Sequence, residues 1–193
     1  MDSCTSSGRT RLLKKLCKDI SNSNLFVDVV KPKITLNSIK KNREICKTNR
    51  CGNYRRNLTC PPFLKDAAIC ISEIDRYNVV DVLTQTFEDI DLQNKDSVKK
   101  IIDGFQDTCR SIMTAMRRDG FDVMALSVGG CNYCERCFAL DDKKCRYPEM
   151  RIFSISGYGV DMTEYVRDIG GDFTFRDGEI TLYCILLTKT ESS

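Results

Sequence analysis

Three cysteines at two-residue intervals, Cys131-Asn-Tyr-Cys134-Glu-Arg-Cys137, constrain this chain more than any other feature. Such spacing lets a tight turn aim three sulfurs at one centre, and Cys145, eight residues further on, supplies a fourth. The chain has 12 cysteines and no histidine. Without imidazole, histidine-dependent triads, zinc-metalloprotease motifs, Cys2His2 fingers and His-ligated haem are excluded. A transition-metal site here must be built on thiolates.

Cys-x2-Cys-x2-Cys is the spacing that bacterial ferredoxins use for a cubane iron–sulfur cluster. Those proteins place the fourth cysteine after three residues and follow it with proline. Here seven residues intervene and the tail reads Cys145-Arg146-Tyr147-Pro148. Gly129-Gly130 precedes the group, and residues without side chains let backbone N–H groups approach cluster sulfides. The pair follows an expected strand, at the carboxyl edge where open α/β sheets place ligands. Structural zinc more often uses two separated Cys-x2-Cys pairs. The third cysteine at the same interval favours a [4Fe-4S] cluster, with zinc as the alternative.

A second group, Cys46, Cys51 and Cys60-Pro61-Pro62, supplies three thiolates. Three ligands can hold a cubane and leave one iron open for substrate or water. A lone zinc, or one site shared by both groups, is the alternative. Cys17, Cys70, Cys109 and Cys184 sit in apolar surroundings and read as core residues, with Cys4 in the first residues.

The start, MDSCTSSGRTRLLKKL, has no apolar stretch of signal-peptide length. No apolar run of about 18 or more residues exists to suggest a membrane span. A cytoplasmic location is therefore expected, where thiols stay reduced and clustered cysteines favour metal over disulfides. Net charge is only +3, but Lys31 to Arg56 holds nine Lys or Arg against the single acid Glu44. No nucleic-acid motif accompanies this stretch, so nucleic acid is not the expected partner. Lys and Arg near a thiolate-ligated cluster offset its negative charge.

No repeats or low-complexity linkers divide the chain, so residues 1–193 read as a single cysteine-rich metal-binding domain, with 1–24 a mobile or peripheral helix. Leu12, Leu13, Leu16, Cys17 and Ile20 give that helix its apolar face. Leu25 to Val30 and Tyr77 to Phe87 read as strands, and Leu64 to Ile74 as a helix. Val98, Ile101, Ile102, Phe105, Cys109, Ile112, Met113 and Met116 recur at helical spacing over 97–118, with Asp96 or Ser97 as cap and Gly120 as stop. Phe121 to Val128 is then a buried strand, completing a strand-helix-strand unit. Asp161 to Asp168 reads as a short helix capped by Asp161. Phe173-Thr-Phe175 and Ile180 to Thr188 read as closing strands hinged at Asp177-Gly178. The expected class is α+β or α/β: one mixed sheet with helices packed on it and cysteine-rich metal-binding loops at the strand ends.

On these residues the chain resembles the predicted metal-binding proteins grouped as domain of unknown function 2284, found largely in anaerobic bacteria and archaea. The likeness runs from about Cys46 to the end. It is carried by Cys51, Tyr54, Asn57, Cys60-Pro61-Pro62, Cys131, Cys134, Cys137, Cys145-Arg146, Pro148, Ser154 and Gly159-Val160-Asp161. The chain departs at Ser156-Gly157, where an acid and a small residue are expected. The resemblance implies metal binding, an anaerobic cytoplasmic setting and the grouping of seven cysteines as ligands; it supplies no reaction.

The expected function is electron transfer to a redox protein partner, with Cys131, Cys134, Cys137 and Cys145 on one [4Fe-4S] cluster and Cys46, Cys51 and Cys60 on a second centre. One alternative is an enzyme that binds a small anionic substrate at an open iron, held by Arg55, Arg56 or Arg146. The other is a zinc-stabilised interaction module.

Overall fold

The strand at residues 180–189 is buried along nearly its whole length, so it must have apolar neighbours on both faces. Tyr183, Ile185 and Leu187 pack into one core; Leu182, Cys184 and Leu186 pack into another. This two-residue period dictates a sheet covered by helices on both sides. The computed structural model describes residues 6–141, 143–174 and 176–190. Its elements are α1 (Ser6–Cys17), β1 (Ser23–Phe26), α2 (Leu36–Cys46), α3 (Ala67–Asp75), β2 (Val79–Phe87), α4 (Lys95–Arg118), β3 (Asp122–Ser127), β4 (Phe153–Ser154), α5 (Met162–Asp168) and β5 (Ile180–Lys189).

The sheet order is β1-β2-β5-β3-β4. β5 is antiparallel to both neighbours, pairing Leu83 with Cys184 on one side and Leu126 with Ile185 on the other. The β2-α4-β3 unit is therefore split, with β5 inserted between its two parallel strands. β4 pairs parallel to β3 through Leu126 with Phe153 and Ser127 with Ser154.

One face carries α1 and α4. Phe105, Cys109, Ile112, Met113 and Met116 of α4 meet Leu13 and Cys17 of α1 over Leu83, Val123 and Ala125. Each fully buried aliphatic side chain here stabilises by about 1.5–3 kcal/mol. The other face carries α2, α3 and α5 through Ile39, Cys70, Ile74, Tyr165 and Val166. The amino-terminal helix is docked: Leu13 is wholly buried, and so is Arg9, whose guanidinium pairs with Asp81 on β2 and with Asp28 at 2.5 Å. Cys4 lies outside the described residues.

The mixed sheet with packed helices matches expectation, and differences are local. β1 is shorter and earlier than Leu25 to Val30. α3 starts only at Ala67, because Asp66 caps it by accepting from the Ala68 N–H. α4 is capped by Asn94, not by Asp96 or Ser97. Gly120 follows its end with φ +91°, which spares a side chain that strain. The expected hairpin about Asp177-Gly178 does not form: residues 173–174 are not strand, Phe175 lies outside the described residues, and β5 takes both edges from β2 and β3. No helix among the described residues is long and apolar enough to cross a membrane.

Candidate metal centre

β3 ends at Ser127, and Val128-Gly129-Gly130 carries the chain into the Cys131 loop. Three polar residues of α4 hold that loop. Gln106 Nε2 donates to the carbonyls of Val128 at 2.6 Å and Gly130 at 3.1 Å. Arg110 Nη2 donates to Asn132 Oδ1, and Asn132 Nδ2 donates to Asp103 Oδ1 at 2.6 Å. Gln106 and Arg110 are only 1% and 3% exposed, so their polar groups need these partners. Asp103, Gln106 and Arg110 form a polar stripe at helical spacing beside the apolar face. That stripe is legible in the sequence and was the missed signal for the loop's support.

Cys131, Cys134, Cys137 and Cys145 line one pocket, whose wall also includes Thr59, Tyr133, Tyr147 and Arg151. Tyr133 and Tyr147 meet edge to face at 5.3 Å. Partial burial and the neighbouring cysteines push the Cys134 thiol up, against the pull of Arg146. Burial also raises Cys145, while the Tyr147 backbone N–H and the charge of Arg151 draw it down. These thiols therefore favour the protonated state and crowd one another when ionised. A bound cation reverses that balance.

Cys46, Cys51 and Cys60 form the second neighbourhood. Cys46 ends α2, Cys51 is exposed in the following turns, and Cys60 is 5% exposed. Burial pushes the Cys60 thiol up to about 12, helped by Cys51 and Cys46; hydrogen bonds from Asn57 and Ser154 oppose it. Cys46 is raised by burial and by Cys51, and lowered by Arg43. Asn57 is itself fixed, accepting from the Thr59 N–H at 3.0 Å and Thr59 Oγ1 at 2.8 Å.

The two neighbourhoods meet at Gly130. A Cβ there would lie 2.4 Å from Asn57 Nδ2 and 2.6 Å from Cys60 Sγ. The Cys131 N–H donates to Thr59 Oγ1 at 2.8 Å, and the Ser154 N–H donates to the Thr59 carbonyl at 3.3 Å. Gly130 is thus required by side chains from the other cysteine segment, a reason its sequence position alone does not reveal. Asn57, Thr59 and Ser154 are the partners that join the segments at the carboxyl ends of β3 and β4.

Among the described residues, no group of three or more Cys, Asp or Glu side chains is arranged to hold a single metal ion. The seven cysteines are brought into two adjoining neighbourhoods, and no tight coordination set is formed at the strand ends. Arg146 lies over the Phe138 ring at 4.0 Å, while Arg55 and Arg56 are exposed. Asp161 caps α5, accepting from the N–H groups of Thr163 and Glu164. At the departure Ser156-Gly157, Gly157 donates to Ser154 Oγ and its carbonyl accepts from Arg43 Nε, so this segment packs against α2. Cys17, Cys109 and Cys184 share one core, and Cys70 Sγ accepts from Arg43 Nη2 at 3.3 Å.

No curated protein and no solved structure matches this chain. One protein family does, described as predicted metal-binding proteins, over residues 33–188. That span takes in all seven clustered cysteines, Gly130 and every residue that joins their two segments. The chain belongs to the family of predicted metal-binding proteins called domain of unknown function 2284.

Proposed function

We propose that this chain is an iron–sulfur protein of anaerobic redox metabolism, acting as an electron-transfer partner. In this reading Cys131, Cys134, Cys137 and Cys145 hold a [4Fe-4S] cluster, and Cys46, Cys51 and Cys60 hold a second centre. The observation that carries it is the contact at Gly130, where Cys60 Sγ packs against the residue preceding Cys131. Thiol sets that adjoin in this way suit passage of an electron from one to the other. The donors fit: they are all thiols, in a chain without imidazole. When bound, such a cluster supplies one-electron chemistry at a potential tuned by burial, charge and hydrogen bonds to sulfur.

The chain's own residues have definable parts. Asn57 and Ser154 donate toward Cys60 sulfur and lower the cost of its thiolate. The Tyr147 N–H does the same for Cys145, and the charges of Arg151 and Arg146 favour the thiolates of Cys145 and Cys134. The four cysteines of the first set share one small pocket with Leu58, Thr59, Tyr133, Tyr147 and Arg151.

The decisive experiment is iron, sulfide and zinc content per chain after purification without air. The expected protein is brown, with iron and acid-labile sulfide in equal amounts. A colourless chain with zinc and no sulfide overturns the reading and leaves the zinc-stabilised module. A second reading is favoured by the exposure of Cys51 and by a set of only three thiols. It makes the second centre the binding place of a small anionic substrate, at an iron with no protein ligand. An electron paramagnetic resonance signal that shifts on adding a small anion supports it; one that no anion shifts leaves electron transfer.

A further inference from the structure

A separate cavity of about 140 Å³ lies between the end of α3, the end of α4 and the segment before β4. Arg76, Arg117 and Arg151 converge on it, with Tyr77 and an apolar wall of Met124, Pro148 and Phe153. None of the three guanidiniums is in an ion pair among the described residues. Glu73 also lines the cavity, but its two oxygens accept from Lys65 and from Tyr158 at 3.0 Å. Asp122 and Glu149 act on Arg117 electrostatically without pairing with it. Positive charge is thus left over inside a concave, half-buried space.

Arg117 and Arg151 are held in place without being used up. Arg117 donates to the carbonyls of Glu149 and Val123, the latter at 2.6 Å. Arg151 Nε donates to the Pro148 carbonyl at 3.2 Å, and its guanidinium lies 5.2 Å from the Phe153 ring centre. A guanidinium carries five N–H donors in a planar fork, so most remain for a ligand. Fixed forks beside an apolar wall select a planar or tetrahedral oxyanion with a short apolar body.

We infer that this cavity binds a small organic oxyanion, a carboxylate or a phosphate monoester, on Arg76, Arg117 and Arg151. Arg151 also lines the cysteine pocket, so the anion sits one side chain away from the candidate metal centre. The site uses none of the cysteines; among the described residues, Arg151 is the one side chain it shares with the cysteine pocket.

The test is calorimetric titration of the full chain with inorganic phosphate, phenyl phosphate and benzoate at low salt. Phenyl phosphate or benzoate should bind more tightly than inorganic phosphate, because of the apolar wall. Arg76→Gln should weaken binding about tenfold or more, the worth of a lost charged hydrogen bond. Arg76 is exposed, and its contacts to the Glu73 and Ile74 carbonyls are made by its backbone N–H, which glutamine retains, so this variant keeps the fold. Arg151→Gln should weaken binding similarly, and Arg118→Gln, outside the cavity, should not. Binding should persist in Cys134→Ala, which separates this inference from the cluster. No binding of any of the three anions, or equal affinity in Arg76→Gln and Arg118→Gln, overturns it.

Discussion

Gly130→Ala tests the junction of the two cysteine segments with a single methyl group. Its φ is not in the left-handed region, so alanine meets no backbone penalty there. The cost comes from space: the new Cβ would stand 2.4 Å from Asn57 Nδ2 and 2.6 Å from Cys60 Sγ. Neither neighbour yields easily, because Asn57 and Cys60 are 4% and 5% exposed and Asn57 is pinned by Thr59. Overpacking of this kind costs about 1–3 kcal/mol. Displacing Asn57 adds about 1 kcal/mol for a lost hydrogen bond. A loss of about 2–4 kcal/mol lowers the folding equilibrium by about 30-fold or more. Gly129→Ala is the comparison. Its Cβ would meet nothing closer than 3.6 Å, but its φ is +72°. It should cost only the left-handed strain of about 1–2 kcal/mol. Urea unfolding of both metal-free variants under reducing, air-free conditions measures the stabilities, and iron per chain measures the site. Gly130→Ala should lose stability and the metal of the Cys46 set; Gly129→Ala should keep its metal. A Gly130→Ala protein with wild-type midpoint and full metal would refute the account of why the segments meet.

Cys134→Ala should remove about half the iron, since the two thiol sets are distinct; loss of all iron would show one shared site. Arg9→Met leaves Asp81 buried without its guanidinium and should cost about 3–5 kcal/mol in urea unfolding. Burial pushes the Asp81 carboxyl above its ordinary 3.8 even with Arg9 beside it. A raised carboxyl contributes stability that is full below the unfolded value and lost as pH rises through the folded one. Arg9→Met raises it further, so its deficit against wild type should be smaller near pH 4 than near pH 7; a deficit that grows on acidification contradicts this. Gly104→Ala places a methyl in open space on α4 and should stabilise by about 0.5–1 kcal/mol, read as a rise in thermal midpoint.

Much of the fold was legible because it follows local period. The apolar stripe of α4 and the uninterrupted apolar run of β5 require only spacing to be recognised. α2 escaped because its burial rests on one residue, Ile39, while Leu36 and Ile45 face outward. Its cap, Thr35 with Ser38, was the signal available, though serine replaces the usual acid or amide. The hairpin expected at Asp177-Gly178 failed for the opposite reason. The turn is there, with Gly178 at φ +71°, but a turn does not choose the strand's partners.

By itself, the sequence determined which donors the chain can offer a transition metal. Cysteine without histidine admits thiolate-rich centres, and two-residue spacing is a property of the chain before it folds. Only the tertiary structure decided which distant segments meet. It inserted β5 between β2 and β3, set Asn57 and Cys60 against Gly130, and gathered Arg76, Arg117 and Arg151 from three distant stretches of chain around one cavity. Spacing acts over a few bonds, where backbone geometry transmits it directly. Those encounters span dozens of residues, and burial of two apolar sheet faces selects them from the many pairings that local pattern permits.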